Sequence, residues 1–170
     1  MTTVIFKVGN IVEEKTEGLI CSGNIHLNMS GGVNGELLSR GGIEMQKQLH
    51  SYLAKENKMF VDPGFVMKIG PEPFHFSCIV YSVSIDAWYD SSEEIVYKTL
   101  VNALNVLQES NCYTVAIPAL ATGYGHLKLE EFGRFLKISL DSKQWLFEEI
   151  RIVHIDEFKL KKVRKGYDNS

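Results

Sequence analysis

The sequence has no apolar run close to the ~20 residues that a membrane-spanning helix requires. Its opening, "MTTVIFKVGN", has no basic segment followed by a long apolar core, so it does not read as a secretory signal. It also lacks a charge excess. Eighteen basic residues against 21 acidic ones leave a net charge of −3, which makes no electrostatic case for nucleic acid. Cysteine is scarce: Cys21, Cys78 and Cys112 are odd in number, far apart and set in apolar runs. They read as reduced, buried thiols of a cytoplasmic protein rather than as disulfides, and they show no zinc-ligand spacing. A catalytic thiol is the lesser reading, for Cys21 alone, because it borders a glycine-rich stretch. No internal repeat, low-complexity segment or linker interrupts the chain. The G-x-x-x-x-G-K-S/T pattern is absent, and so is a true G-x-G-x-x-G, which argues against a P-loop NTPase and a standard NAD-type Rossmann site. Neither a cofactor nor a metal is implied.

What is present is an ordinary globular balance, 45% apolar and 23% charged over 170 residues, long enough for one domain with a core of its own. That domain is expected over residues 1–158. The stretch "KLKKVRKGYDNS", residues 159–170, is expected to be a solvated basic tail.

Strand and helix signals alternate. "TVIFKV", "EGLICS", "GFVMKIG", "SCIVYSVSI", "YTVAI" and "IRIVHI" are β-branched, apolar or both, and read as strands. "IEMQKQLHSYLAKE" spaces Met45, Leu49 and Leu53 four apart, one face of a helix. "SSEEIVYKTLVNALNVLQES" is expected to open on a capping box of Ser91 and Glu94 and to turn Ile95, Leu100, Ala103, Leu104 and Leu107 inward. "LEEFGRFLKISL" places Leu129, Phe132, Leu136 and Leu140 on one side. Such alternation predicts an α/β sheet covered on both faces.

Two stretches have little packing value for their length. "SGNIHLNMSGGVNGELL" (Ser22–Leu38) and "IPALATGYGHLKLEE" (Ile117–Glu131) each follow a buried strand and lead into a helix. Ligands of open α/β sheets bind beyond the carboxyl ends of the strands. Glycine lets the backbone approach a ligand, and the free N–H groups at a helix start favour anions. Two such loops facing one crevice could hold a pyrophosphate.

These strings resemble those of the macro domain family. "GNI" (Gly9-Asn10-Ile11) stands where the family has Gly-Asp-Ile. "CSGNIHLNMSGGVNG" keeps the family's second asparagine as Asn24 and its Gly31, Gly32, Val33 and Gly35. "IPALATGYGHLKLEEF" parallels the later signature, with Ala121 in place of a glycine. The resemblance implies a three-layer α/β/α sandwich around a central mixed, mostly parallel sheet. It implies that ADP-ribose or a related nucleotide is the ligand, free or attached to a protein. Backbone N–H groups of Gly31, Gly32 and Val33, and of Thr122, Gly123, Tyr124 and Gly125, would wrap the diphosphate. Asn24 would bond the distal ribose, Tyr124 would lie against it, and Ile11 would wall the adenine.

The departures carry equal weight. Asn10 replaces an aspartate that accepts a bond from the adenine amine, so the carboxylate of Asn10→Asp is expected to strengthen adenine binding. Cys21 replaces the first asparagine. Asn34 replaces the aspartate that helps hydrolytic members activate water, and Leu38 replaces their histidine; an asparagine has no usable basicity near neutral pH. Asn24, Asn34 and His26 remain the candidate catalytic residues, with His126 a second spare histidine, whereas His50, His75 and His154 are assigned nothing. Asp86 and Asp90 read as capping residues, and Trp88 and Tyr89 as core, with the border of the pocket as their lesser reading. Three readings follow: an ADP-ribose binder; a hydrolase of ADP-ribosyl esters, O-acetyl-ADP-ribose or ADP-ribose 1″-phosphate (Appr-1″-p processing); and a scaffold or nucleic-acid-binding domain with a vestigial crevice, which the acidic net charge disfavours.

Overall fold

The computed structural model describes residues 1–170. Six strands form one sheet: β1 (Thr3–Val8), β2 (Gly18–Gly23), β3 (Val66–Ile69), β4 (Cys78–Val83), β5 (Thr114–Ile117) and β6 (Glu149–His154). Their order across the sheet is β1-β6-β5-β2-β4-β3. Every pairing is parallel except β3 with β4, which is antiparallel at the sheet edge. The five parallel strands therefore end on the same side, and their carboxyl ends form one continuous rim.

Side chains alternate across the pleat. Ile20, Val80, Val115, Ile117, Ile150 and Ile152 face one layer; Leu19, Cys21, Ile79, Tyr81, Val83, Ala116 and Val153 face the other. The first layer is covered by α3 (Glu93–Glu109), α4 (Leu129–Asp141) and α5 (Glu157–Asp168), the second by α1 (Gly32–Ser39) and α2 (Ile43–Lys55). The result is a three-layer α/β/α sandwich. No helix is long and apolar enough to cross a membrane.

Three expectations are corrected here. The cap of α3 is Ser92, whose Oγ accepts from the Ile95 N–H at 3.2 Å; Ser91 instead donates to the Ser84 carbonyl at 2.6 Å. The shift of one residue buries Val96 in place of Ile95. The expected tail is helix: Asp156 caps α5 by accepting from the Lys159 N–H, and Leu160 and Val163 are buried. Its basic residues occupy the outer face. Two glycines let α5 lie close on α4: a Cβ at Gly133 would stand 2.0 Å from the Val163 carbonyl oxygen, and one at Gly166 would stand 2.0 Å from that of Glu130.

Candidate functional site

A cavity of about 600 Å3 opens at the strand rim. That is within the ~300–1,000 Å3 usual for small-molecule sites. β1 delivers Gly9, Asn10 and Ile11 to one end; β6 delivers Val153, His154 and Ile155 beside them. β2 supplies Ser22, Gly23 and Asn24, and α1 supplies Gly31, Gly32, Val33 and Glu36. The loop after β5 closes the other side with Pro118, Ala119, Ala121, Gly123, Tyr124 and Gly125. No lysine or arginine lines it, so an anion would meet backbone N–H groups and neutral side chains there rather than a cationic one.

The first loop is held from below by Tyr81. Its buried hydroxyl accepts from the Asn24 N–H at 3.1 Å and donates to the Asn28 carbonyl at 3.1 Å, and burial holds its pKa well above the usual tyrosine value. The phenol passes so close that a Cβ at Gly23 would stand 1.8 Å from its oxygen. From the side, Gln46 of α2 accepts from the Met29 N–H at 2.7 Å and donates to the Leu27 carbonyl at 2.9 Å. Gly31 and Gly32 follow with φ of 64° and 51°, a left-handed conformation that favours glycine. They lead straight into α1, whose first N–H groups have no partner within the helix. A Cβ at Gly32 would meet nothing within 4 Å.

The second loop is similarly constrained. Thr122 Oγ1 donates to the Ala119 carbonyl at 2.8 Å, and the Leu127 N–H donates to that of Ala121 at 3.1 Å. Ala121 itself has φ 62°, which explains why a glycine suits this position. Gly125 is required, since a Cβ there would stand 2.3 Å from the Ala121 oxygen. Gly123, by contrast, is open: a Cβ there meets nothing within 4 Å. The ring of Tyr124 crosses to the first loop and lies against Gly31, where a Cβ would stand 2.3 Å from it, yet 71% of the residue stays exposed.

The Macro domain family matches residues 21–135, more than half of the chain and both loops. The chain belongs to the Macro domain family. An uncharacterised Thermotoga maritima protein is 27% identical over 157 residues, 88% of this macro domain but only 26% of that protein, so the chain spans about a quarter of that relative. Among solved structures, the Oceanobacillus iheyensis macrodomain with ADP superposes with a TM-score of 0.86 at 19% identity, covering 96% of this chain and 89% of that one. A variant of it with ADPR gives 0.85 at 18% identity, covering 98% and 91%. At these identities the likeness concerns the fold.

Within the macro domain, the expected site residues divide. Asn10, Ile11, Asn24, Gly31, Gly32, Val33, Ala121, Gly123, Tyr124 and Gly125 border the cavity; Asn34, Gly35, Thr122 and His26 are not among the lining residues. Asn34 is fully buried, and its Nδ2 donates to the Ser22 carbonyl at 2.8 Å while Oδ1 has no partner. It staples α1 to β2 and does not border the cavity. His26 is exposed outside the cavity, its Nδ1 3.3 Å from the Met59 carbonyl oxygen. Cys21 is fully buried and burial pushes its pKa up to about 12, which leaves no thiolate at neutral pH. Asn24 borders the cavity with its amide already engaged: Oδ1 accepts from the N–H groups of His26 and Asn28, and Nδ2 donates to the Asn28 carbonyl at 3.4 Å. A ligand would compete with those loop bonds.

Residues passed over are at the site. Tyr89 lines the cavity and Trp88 is 75% exposed, so neither is core. Asp86 Oδ1 accepts from the N–H groups of Trp88 and Asp90, and the His126 ring pairs with Asp90 at 2.8 Å, tying this turn to the second loop. His154 accepts from the Asp156 N–H on Nδ1 at 2.9 Å, so its neutral ring carries hydrogen on Nε2; burial lowers its pKa. Glu36 stands one helical turn beyond Gly32. Its spacing from the glycine pair is the sequence signal that could have placed it on the cavity side of α1.

Proposed function

We propose that this macro domain binds ADP-ribose, free or carried on a protein, without hydrolysing it. One observation carries the reading. Gly32 and Gly123 come from opposite loops, both border the cavity, and a Cβ on either would meet no protein atom. Packing does not call for glycine at either position, and at Gly123 no left-handed φ calls for it either; room for an approaching ligand does. The N-terminus of α1 beside Gly32 offers N–H groups and the positive end of its dipole to a diphosphate. The absence of lysine and arginine from the lining suits recognition by such dipoles. Support also comes from the same fold in proteins described with ADPR and with ADP. Three free, buried cysteines suit a cytoplasmic setting.

The binder reading is preferred over hydrolysis because none of the candidate bases is placed for it, and the carboxylate that does line the cavity, Glu36, is held at the Asn10 end by Asn10 and Arg40. Asn34 is buried, Leu38 carries no proton acceptor, His26 is outside the cavity, and His126 is held by Asp90. Calorimetry with ADP-ribose, ADP and AMP tests the reading. ADP-ribose is expected to bind with a dissociation constant on the order of micromolar. No heat, and no thermal shift at millimolar ligand, overturns it. Robust turnover of an ester-linked ADP-ribosyl protein overturns the non-hydrolytic part alone.

A further inference from the structure

We infer that Glu36 is the group that selects an amine-bearing base, and that it does the work a carboxylate at position 10 would otherwise do. This rests on the ADP-ribose reading above and names the residue that chooses the nucleobase.

Both polar ends of Asn10 are engaged within the protein. Its Oδ1 accepts from the Val12 N–H at 3.1 Å, capping the 3-10 turn Ile11–Glu13, and its Nδ2 donates to Glu36 Oε1 at 2.6 Å. The carboxylate partner fixes which end of the amide is nitrogen. Arg40, one turn further along α1, contacts the same oxygen of Glu36 at 2.6 Å. Both contacts therefore fall on Oε1, and Oε2 accepts no hydrogen bond from the protein. The side chain is one-third exposed and lines the cavity.

The charge gives the ligand a direction. A carboxylate repels a diphosphate, so the phosphates cannot sit at the Asn10–Glu36 end and belong with the open glycines. What Oε2 can accept is an N–H. β1 and β6 are adjacent, as the Gly9 N–H donates to the His154 carbonyl at 3.1 Å, so Ile11, His154 and Ile155 line the same end of the cavity as Asn10, the partner of Glu36. A flat base with an exocyclic amine meets apolar walls, a charged acceptor in Oε2, and a ring N–H on His154 Nε2 available to a ring nitrogen. Arg40 and Asn10 hold Glu36 by one oxygen while leaving its second oxygen to the ligand.

The test is calorimetry of the whole chain with ADP-ribose and with its analogue bearing hydrogen in place of the 6-amino group, on the parent, Glu36→Gln and Glu36→Ala. A charge-assisted bond to a desolvated amine predicts that the parent binds ADP-ribose about ten-fold more tightly than the analogue. Glu36→Gln keeps an oxygen for Asn10 and so turns its amide nitrogen, a donor, to the ligand. The preference should fall below about two-fold, and Glu36→Ala should do the same. Circular dichroism checks that each variant is folded. A ten-fold preference that survives both substitutions, or a parent that binds the two ligands equally, overturns the role of Glu36 and leaves the ADP-ribose reading standing. A parent that binds neither ligand overturns both.

Discussion

Placing a carboxylate in the second loop separates a phosphate cradle from a tight turn. Gly123 is the position to use: it borders the cavity, its φ is not in the left-handed region, and a Cβ meets nothing within 4 Å. Gly32 is open as well, but its φ of 51° would add backbone strain to any side chain there. Gly123→Glu should fold normally and lose the ligand. Two unit charges about 4 Å apart repel by about 4 kcal/mol at an effective dielectric near 20. Gly123 is exposed, so screening by solvent brings this to about 2 kcal/mol, or roughly a 30-fold weaker dissociation constant. Gly123→Gln, equal in bulk and uncharged, measures the steric part separately. Calorimetry with ADP-ribose gives the affinities and a thermal melt confirms that both variants are folded. A folded Gly123→Glu that binds as the parent does would refute the assignment of this loop to the diphosphate.

Three further outcomes are expected. Asn10→Asp, which the family pattern alone would favour, should weaken the protein and give no gain in adenine affinity, because it sets a second carboxylate against Glu36 Oε1 where Nδ2 now donates at 2.6 Å. Its melting temperature at pH 7 should fall and the deficit should shrink in mild acid, where one shared proton relieves the repulsion. Ala121→Val should cost about 2 kcal/mol or more by denaturant melt, since a β-branched residue is forced to φ 62° at a buried position. His154 supplies a pH dependence: burial lowers its folded pKa below the ordinary 6.5, so its contribution is fully present above that value and is lost as pH falls through the folded pKa. The parent should therefore lose more thermal stability between about pH 7.5 and about pH 5.5, either side of the ordinary histidine value, than His154→Gln does, and equal losses would contradict the half-buried neutral ring.

Much of the frame was legible because it follows from periodicity. β1 is found where "TVIFKV" placed it, and α2 buries the Met45, Leu49 and Leu53 that its four-residue spacing picked out. The two loops stood out because glycine and asparagine cluster there at the ends of buried strands, with little packing value for their length. What failed has physical causes. In α5, Leu160, Val163 and Tyr167 carry a helical spacing, but the surrounding lysines and Arg164 masked it as a charged tail. Asn34 read as a site residue by its neighbours, and only the folded chain turns it inward to the Ser22 carbonyl. The dependence of Gly23 on the phenol of Tyr81 joins residues of two strands and has no local signature. His154 closes a strand, where alternation cannot tell the last wall position from a solvent position.

The partner of β1 bears on how the site comes into being. Thr3 pairs with Glu149, and Val8 with His154, so β1 lacks its partner strand until β6, much later in the sequence, has been made. Pairings this distant in sequence form slowly. β1 also carries Gly9, Asn10 and Ile11 into the cavity. The other strands, with both glycine loops, can assemble first around β2, β4 and β5. The base-facing wall is then the final part to be installed. Detachment of this one edge strand would open one wall of the pocket while most of the core stays packed, and a nucleotide that grips the wall would in turn hold β1 to β6.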